Sequence, residues 1–158
     1  MAHIAGEVRA AAGSVTVIAD PARYADLGLP TVADLRPGAG PLGGIETALA
    51  QRAAEWNLVV ACDMPNLERE LLKSLIAAAI EEGNGPVDCV LGLSASGLEP
   101  LCAVYRAQAL GPIRAALDAG VRKVTDGLAG LQVAHFEIDN QKVTANVNTP
   151  EDWLRHRG

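Results

Sequence analysis

Short apolar runs alternate with longer stretches of helical spacing along this chain. Val15–Ala19 reads V-T-V-I-A, and Leu58–Cys62 reads L-V-V-A-C, the continuous apolar run that is typical of a strand buried on both faces. Between these two runs, Leu42, Ile45 and Leu49 recur at the spacing of one helix face. The pattern predicts strands joined by helices rather than a helical bundle or an all-β fold.

The same pattern extends to the other end of the sequence. Predicted helices cover Ala2–Ala12, Leu67–Glu82, Gln108–Ala119, Val121–Leu128 and Pro150–His156, and another begins near Pro41. Predicted extended segments cover Pro30–Ala33, Val87–Leu93, Leu101–Tyr105, Leu131–Ile138 and Val143–Val147. Helix-length crossovers between strands predict a doubly wound, mostly parallel α/β sheet with helices on both faces. With no repeat or linker, residues 1–158 are predicted to form one domain.

Ligands of doubly wound sheets bind beyond the carboxyl ends of the strands, so the residues there are the first candidates for chemistry. Asp63 follows the predicted strand Leu58–Cys62, and Pro65 stops that strand from continuing in a ladder. A single carboxylate in this position can hold Mg²⁺ and thereby phosphate oxygens. The alternative is a structural turn, since Asp is common in turns before Pro.

A second acid and a glycine-rich loop follow another predicted strand end. Asp34 could accept hydrogen bonds from a nucleobase or ribose, although its local pattern favours a solvated turn. The loop Gly38–Gly44 reads G-A-G-P-L-G-G and would allow close approach of backbone to a ligand. It has neither the P-loop signature nor dinucleotide-binding spacing, so a plain connection to the next helix is the simpler interpretation.

Two amides near the end of the sequence form a third candidate. Asn146 and Asn148 are two positions apart, so both side chains face the same way on an extended segment. Such a pair suits a polar ligand with several donors and acceptors, and a pair of turn-forming residues is the equal alternative. Thr149 and Pro150 fit the cap and first turn of the following helix.

Composition narrows the class of partner and the compartment. Hydrophobic residues make up 49% of the chain and charged residues 20%, as in a folded globular domain. The net charge is −6 and no Lys/Arg run occurs, which argues against nucleic-acid binding. No signal peptide or transmembrane segment is recognisable, so we expect a cytoplasmic protein that does not bind membranes. Cys62, Cys89 and Cys102 are expected to be buried free thiols.

Four segments in order carry a family resemblance over essentially the whole chain. They read G-P-L-G-G-I, V-V-A-C-D-M-P, E-P-L-C-A-V-Y-R and N-V-N-T-P-E-D. Together they resemble the MobA family of molybdenum cofactor guanylyltransferases, which belong to a wider group of nucleotidyltransferases related to sugar-nucleotide enzymes. The second and fourth segments are the most specific.

The resemblance implies a reaction and a set of roles. The family transfers GMP from GTP to molybdenum-carrying molybdopterin with Mg²⁺ and releases pyrophosphate. By resemblance, Asp63 binds Mg²⁺ and the nucleotide, Asp34 contacts the guanosine, and Asn146 and Asn148 face the pterin. A further polar contact of the family falls near Ile18, whose side chain cannot make it.

One departure from the family pattern changes the expected activity. The first strand of the family and its glycine-rich loop, of the type L-A-G-G-x-S-x-R-M-G-x-D-K, have no equivalent in this sequence. We therefore expect little GMP transfer, and either a start codon assigned too late or a homodimer that repairs two unpaired sheet edges. Two alternatives stay open: a related transferase that uses CTP or another acceptor, and a non-catalytic domain that binds a nucleotide, a pterin or a partner.

Overall fold

The computed structural model describes residues 1–51, 53–64 and 66–139. The helices of this part are α1 (Ala2–Ala12), α2 (Gly40–Ala50), α3 (Arg69–Glu81), α4 (Leu110–Asp118) and α5 (Val124–Gly127), with two 3-10 turns at Ala25–Leu27 and Ala107–Ala109. The strands are β1 (Val17–Ile18), β2 (Thr31–Val32), β3 (Trp56–Val60), β4 (Cys89–Ser94), β5 (Gly97–Arg106) and β6 (Val133–Glu137). The predicted strand Val143–Val147, the helix Pro150–His156 and the two asparagines lie outside the described residues.

The strands form two separate sheets. β1 and β2 pair in parallel, and a four-stranded sheet has the order β3-β5-β4-β6. β5 is antiparallel to both of its neighbours, whereas β4 and β6 are parallel, so β3, β4 and β6 share one direction. This confirms the α/β fold, but the four-stranded sheet is mixed, because the two pairings of β5 are antiparallel and that of β4 with β6 is parallel.

Helices cover both faces of the four-stranded sheet, as the sequence predicted. One core cluster joins α2 and α4 to the face of Leu91 and Tyr105. The other joins α3 to the opposite face, where Val90 and Val104 lie. Successive strand residues point to opposite faces, which is why neighbours in the sequence belong to different clusters.

The strand before Asp63 differs from its prediction in position and in burial. β3 begins at Trp56 and ends at Val60, and all five of its residues are only partly buried. The expectation of a strand buried on both faces was wrong, because β3 lies at the edge of its sheet with β5 as its neighbour on one side.

Two of the three thiols match the prediction and one does not. Cys89 and Cys102 are buried in the strands of the four-stranded sheet, whereas Cys62 is exposed. The reason is the early end of β3, which leaves Cys62 in a turn two residues beyond the strand. Burial raises the pKa of both Cys89 and Cys102 to about 12, with smaller contributions from Asp88 and Glu99 respectively.

Candidate active site

A cleft of about 590 Å³ separates the two sheets and contains both predicted acids. Its sides are β1 and β3, and residues of α1 and α2 also line it. The volume lies in the usual range for small-molecule sites, roughly 300–1,000 Å³. Asp34 and Asp63 both line the cleft, so the structure brings together two acids that are 29 positions apart in the sequence.

Asp63 is held in a turn three residues beyond β3. The next residue, Met64, is only 2% exposed and packs with Leu67 and Leu72 in the core cluster under α3. This anchor fixes the turn and therefore the position of the carboxylate. Asp63 is thus both a turn residue and a residue at the ligand end of the strand, and the two interpretations of the sequence are compatible.

The carboxylate of Asp63 has an open coordination position. Its Oδ1 atom is buried and has no hydrogen-bond partner among the described residues. A buried carboxylate oxygen without a partner costs free energy, so such an atom calls for an explanation. A cation at this oxygen would supply one.

Asp34 is exposed and is held by its neighbours in the sequence. The backbone N–H of Leu35 donates to Oγ1 of Thr47 at 3.0 Å, and Nε of Arg36 donates to Oε2 of Glu46 at 2.8 Å. Both acceptors belong to α2, so this helix fixes the segment that carries Asp34. Gly44 of α2 lies beside Asp34, because a Cβ atom built on this glycine would be 4.0 Å from Oδ1 of Asp34.

Glu46 lies at the centre of a network of ion pairs. Its carboxylate is 2% exposed and accepts hydrogen bonds from Arg36 and from Nε of Arg114 at 2.9 Å, while Arg36 also reaches Asp118 at 2.7 Å. Burial raises the pKa of Glu46, but the hydrogen bonds from Arg36 and Arg114 outweigh burial and leave the pKa below its ordinary value. This network was not predicted from the sequence, because Glu46 and Arg114 are 68 positions apart and no local pattern joins them.

The second part of the glycine-rich segment forms the first turn of α2, which lines the cleft. Gly38 and Gly40 have φ of 79° and 68°, a backbone conformation that side chains disfavour. Gly40, Pro41 and Gly44 line the cleft, and no side chain caps the first turn of α2. The free N–H groups and positive end of this helix therefore face the space beside Asp34, where they suit an anionic group.

The lining of the cleft contains no Lys, Arg or His among the residues that the structure describes. No cluster of three or more His, Cys, Asp or Glu side chains with metal-binding geometry occurs in that part of the chain either. Mg²⁺ commonly takes one or two carboxylates and completes its shell with water and substrate phosphates. The single carboxylate of Asp63 fits that mode and does not fit a site made by protein ligands alone.

Two polar residues outside the lining of the cleft, Arg122 and Glu99, have structural roles. Arg122 donates to the backbone carbonyls of Leu117 and Val121 at the end of α4. The carboxylate of Glu99 accepts a hydrogen bond of 2.7 Å from Ser94 across the β4–β5 hairpin. No helix of the described ranges is both long and apolar enough to cross a membrane.

An α/β sheet with acids and a helix N-terminus at one ligand edge is an arrangement common among nucleotide-binding proteins, and sequence comparison identifies the family. Residues 1–135 match the MobA-like NTP transferase domain, and the chain belongs to this family. It is 31% identical over 152 residues to a probable molybdenum cofactor guanylyltransferase of Flavobacterium johnsoniae. The aligned region covers 95% of this chain and 78% of the relative. A probable molybdenum cofactor guanylyltransferase of Pelotomaculum thermopropionicum is 36% identical over 138 residues, covering 83% and 65% respectively.

A solved structure gives the same result for the fold. The molybdopterin-guanine dinucleotide biosynthesis protein A of Archaeoglobus fulgidus is 26% identical to this chain and superposes with a TM-score of 0.75. The match covers 89% of this chain and 75% of the Archaeoglobus chain. The 2-C-methyl-D-erythritol 4-phosphate cytidylyltransferase of Thermus thermophilus, at 15% identity and a TM-score of 0.68, shares the fold. The family and the nucleotidyltransferase fold predicted from the sequence are thereby confirmed.

Proposed function

We propose that this chain acts in molybdenum cofactor maturation as a nucleotidyltransferase that takes GTP and molybdenum-carrying molybdopterin as substrates. The observation that carries the proposal is the unpartnered, buried Oδ1 of Asp63 in a cleft that also contains Asp34. Family membership and relatives that are described as guanylyltransferases support the choice of GTP.

The proposed roles follow from position in the cleft. Asp63 would hold Mg²⁺ together with phosphate oxygens of the nucleotide, and the ion would neutralise charge at the α-phosphate. Asp34 and the first turn of α2 would bind the nucleoside and an anionic oxygen. A phosphate oxygen of molybdopterin forms the new bond to the α-phosphorus, the bond to the β-phosphate breaks, and pyrophosphate leaves. Asn146 and Asn148 stay proposed pterin contacts.

We propose further that the chain by itself transfers GMP slowly. Phosphoryl transfer depends mainly on positioning and on charge neutralisation. The cleft supplies carboxylates and a helix end, but its described lining supplies no cationic side chain to offset the triphosphate. The same observation supports a second candidate, a domain that binds a nucleotide, a pterin or a partner protein without turnover.

Product analysis tests these proposals. The chain and a longer guanylyltransferase relative are incubated with Mg²⁺, GTP and molybdenum-carrying molybdopterin, and molybdopterin-guanine dinucleotide and pyrophosphate are measured. We expect slow product formation that Asp63→Asn abolishes, with Glu137→Gln on the exposed end of β6 as a matched control that retains it. Transfer at the rate of the relative would contradict the expectation of slow turnover.

Thermal shifts separate the nucleotides and the non-catalytic alternative. GTP with Mg²⁺ should raise the melting temperature more than CTP with Mg²⁺, and Asp63→Asn should reduce the shift that either nucleotide causes. A larger shift with CTP would support the related cytidylyltransferase. Binding without any product, unchanged in Asp63→Asn, would support the non-catalytic domain.

A further inference from the structure

The hairpin between β4 and β5 carries a polar pair at the same edge of the sheet as Asp63. Ser94 is the last residue of β4, and Glu99 lies near the start of β5. The hydroxyl of Ser94, which is 8% exposed, donates to Oε1 of Glu99 at 2.7 Å and accepts a hydrogen bond from the Ser96 N–H at 3.1 Å. A buried hydroxyl that is bound on both sides holds the carboxylate in one orientation.

The pairing of β3 with β5 gives the position of Glu99 relative to Asp63. The two strands are antiparallel, and the N–H of Ala61, just beyond β3, donates to the Leu101 carbonyl at 2.8 Å. Asp63 lies two residues after Ala61, and Glu99 lies two residues before Leu101. In an antiparallel pair these two steps run in the same direction, so Glu99 is a neighbour of Asp63 along the edge of the sheet.

Glu99 and the cleft lie on opposite sides of β3. The cleft opens between β1 and β3, whereas β5 is the neighbour of β3 in the order β3-β5-β4-β6. On the far side of the hairpin, the N–H of Ile138 donates to the Leu93 carbonyl of β4 at 2.9 Å, so β6 ends at this edge too. Glu99 therefore lies between Asp63 and the end of β6, where a second substrate could approach Asp63 from outside the cleft.

The structural role of Glu99 in the hairpin uses only part of its carboxylate. Oε1 accepts the bond from Ser94, and the hydrogen bonds and ion pairs among the described residues include none to Oε2. The side chain is half-buried, so the carboxylate is held from one side and open on the other. An ionised carboxylate has about four acceptor positions, so Glu99 keeps capacity for a ligand with donor groups.

Charge restricts the kind of group that Glu99 can favour. A carboxylate repels the phosphates of a nucleotide and of an acceptor, so it suits a part of the substrate that carries N–H donors. The pterin of molybdopterin has such a part, because its amino-pyrimidinone ring carries an amino group next to a ring N–H. Two adjacent N–H groups match the two oxygens of one carboxylate, as a guanidinium does.

We propose that Glu99 selects the acceptor by accepting hydrogen bonds from the amino-pyrimidinone ring of the pterin, and that Ser94 is the positioning residue that orients this carboxylate. The inference rests on the proposed function, because it takes molybdopterin as the acceptor. The nucleotide would occupy the cleft, and the pterin would extend from Asp63 along the edge of the sheet towards β4.

Position decides which of the two rings Glu99 contacts, since guanine carries the same pair of N–H donors. Asp34, the proposed contact of the guanosine, lines the cleft with the start of α2, whereas Glu99 lies across β3 from it. The product of the proposed reaction has one amino-pyrimidinone ring at each end and phosphates between them. A carboxylate on each side of Asp63 suits a molecule of that form.

Fluorescence titration tests the inference without the transfer reaction. The probes are 6-hydroxymethylpterin and 6-hydroxymethyllumazine, in which a carbonyl oxygen replaces the amino group, at a pH where both rings are neutral. The oxygen of the lumazine would face the carboxylate of Glu99 and would supply no donor. The wild type should therefore bind the pterin at least about tenfold more tightly than the lumazine.

Glu99→Gln should change this preference, because its amide can donate to the carbonyl oxygen of the lumazine and accept from the ring N–H. We expect the ratio of the two affinities to fall at least about tenfold. Ser94→Ala should weaken binding of the pterin by a smaller factor. Glu137→Gln on β6 is the matched control and should retain the preference of the wild type.

Several results would overturn the inference. Equal binding of pterin and lumazine by the wild type, or no binding of the pterin, would do so without any variant. An unchanged preference in Glu99→Gln would mean that the carboxylate only ties the hairpin together. A loss of GTP affinity in Glu99→Gln as large as the loss of pterin affinity would place guanine at Glu99 instead.

Kinetics of GMP transfer separate this inference from the proposed function. Glu99→Gln should raise KM for molybdenum-carrying molybdopterin at least about tenfold and leave KM for GTP unchanged. A preference for pterin that depends on Glu99, without any GMP transfer, would support the inference and contradict the proposed function. Transfer with the same KM for molybdopterin in wild type and Glu99→Gln would support the function and overturn the inference.

Discussion

Two regions of the molecule treat buried carboxylate oxygens in opposite ways. Around Glu46 the interior is closed, and two arginines donate hydrogen bonds to an acid that is 2% exposed. Around Asp63 the surface opens into the cleft, and a buried carboxylate oxygen has no partner in the described structure. The charge of Glu46 is paired by two arginines, whereas the carboxylate that we propose as a ligand of Mg²⁺ keeps one oxygen without a partner among the described residues.

The three thiols should show the largest contrast between exposed and buried positions. Cys62 is exposed beside Asp63, whereas burial raises the pKa of Cys89 and Cys102 to about 12. Because the thiolate is the reactive form, we expect one fast thiol and two that react at least about a hundredfold more slowly at pH 8. An Ellman's assay with and without denaturant measures this. Cys62→Ser should remove the fast phase, and a fast phase of two or three thiols would show that the core is open.

Loss of the paired acid should have the largest effect on stability. Glu46→Gln would remove the charge between Arg36 and Arg114 and should lower the free energy of unfolding by about 2–3 kcal/mol. The melting temperature would fall by roughly 4–12 °C. Glu70→Gln, which removes an exposed pair with Lys73, is the matched control and should change stability by less than about 0.5 kcal/mol. Equal losses in the two variants would remove the contrast between buried and exposed pairs.

The dependence of stability on pH should show the contribution of the Glu46 charge. The pKa of Glu46 is lower in the folded chain than its ordinary value of 4.5, so its contribution is fully present above that value. The contribution is lost as the pH falls through the folded pKa. Urea unfolding of the wild type and of Glu46→Gln should be measured between about pH 3 and 7. The free energies of unfolding of the two proteins should converge as the pH falls. A constant difference at every pH would contradict a role for the charge of Glu46.

Loss of the Asp63 carboxylate should have the smallest effect on stability. Oδ1 of Asp63 has no hydrogen-bond partner among the described residues, so Asp63→Asn should change the free energy of unfolding by less than about 0.5 kcal/mol. Urea unfolding without Mg²⁺ or nucleotide measures this. A loss comparable to that of Glu46→Gln would mean that Asp63 holds the fold together rather than a ligand.

Local patterns in the sequence predicted one of these regions and not the other. Asp63 and Asp34 were found because each follows a strand in an α/β sheet, a rule that depends only on local order along the chain. The pairing of Glu46 with Arg114 depends on how α2 packs against α4, which periodicity does not specify. The helix Ala2–Ala12 was predicted at its observed bounds, and its end at Gly13 has the left-handed backbone that glycine favours.

The strands were predicted in type and order but less well in extent. β1 has two residues rather than the five of Val15–Ala19, and β5 has ten rather than the five of Leu101–Tyr105. Strand length depends on which partner lies alongside, and that information is not local. β5 lies between two strands, whereas β1 has β2 alone beside it, which explains the direction of both errors.

Mn²⁺ binding in the presence of GTP tests the central claim most directly, because Mn²⁺ is a paramagnetic substitute for Mg²⁺. Electron paramagnetic resonance of free Mn²⁺ is followed as the wild type, Asp63→Asn and Glu46→Gln are titrated at a temperature where all three are folded. Removing a charged ligand should weaken the ternary complex by about tenfold to a hundredfold in Asp63→Asn, and Glu46→Gln should bind as the wild type does. Equal affinity of wild type and Asp63→Asn would contradict the assignment of Asp63 as the metal ligand.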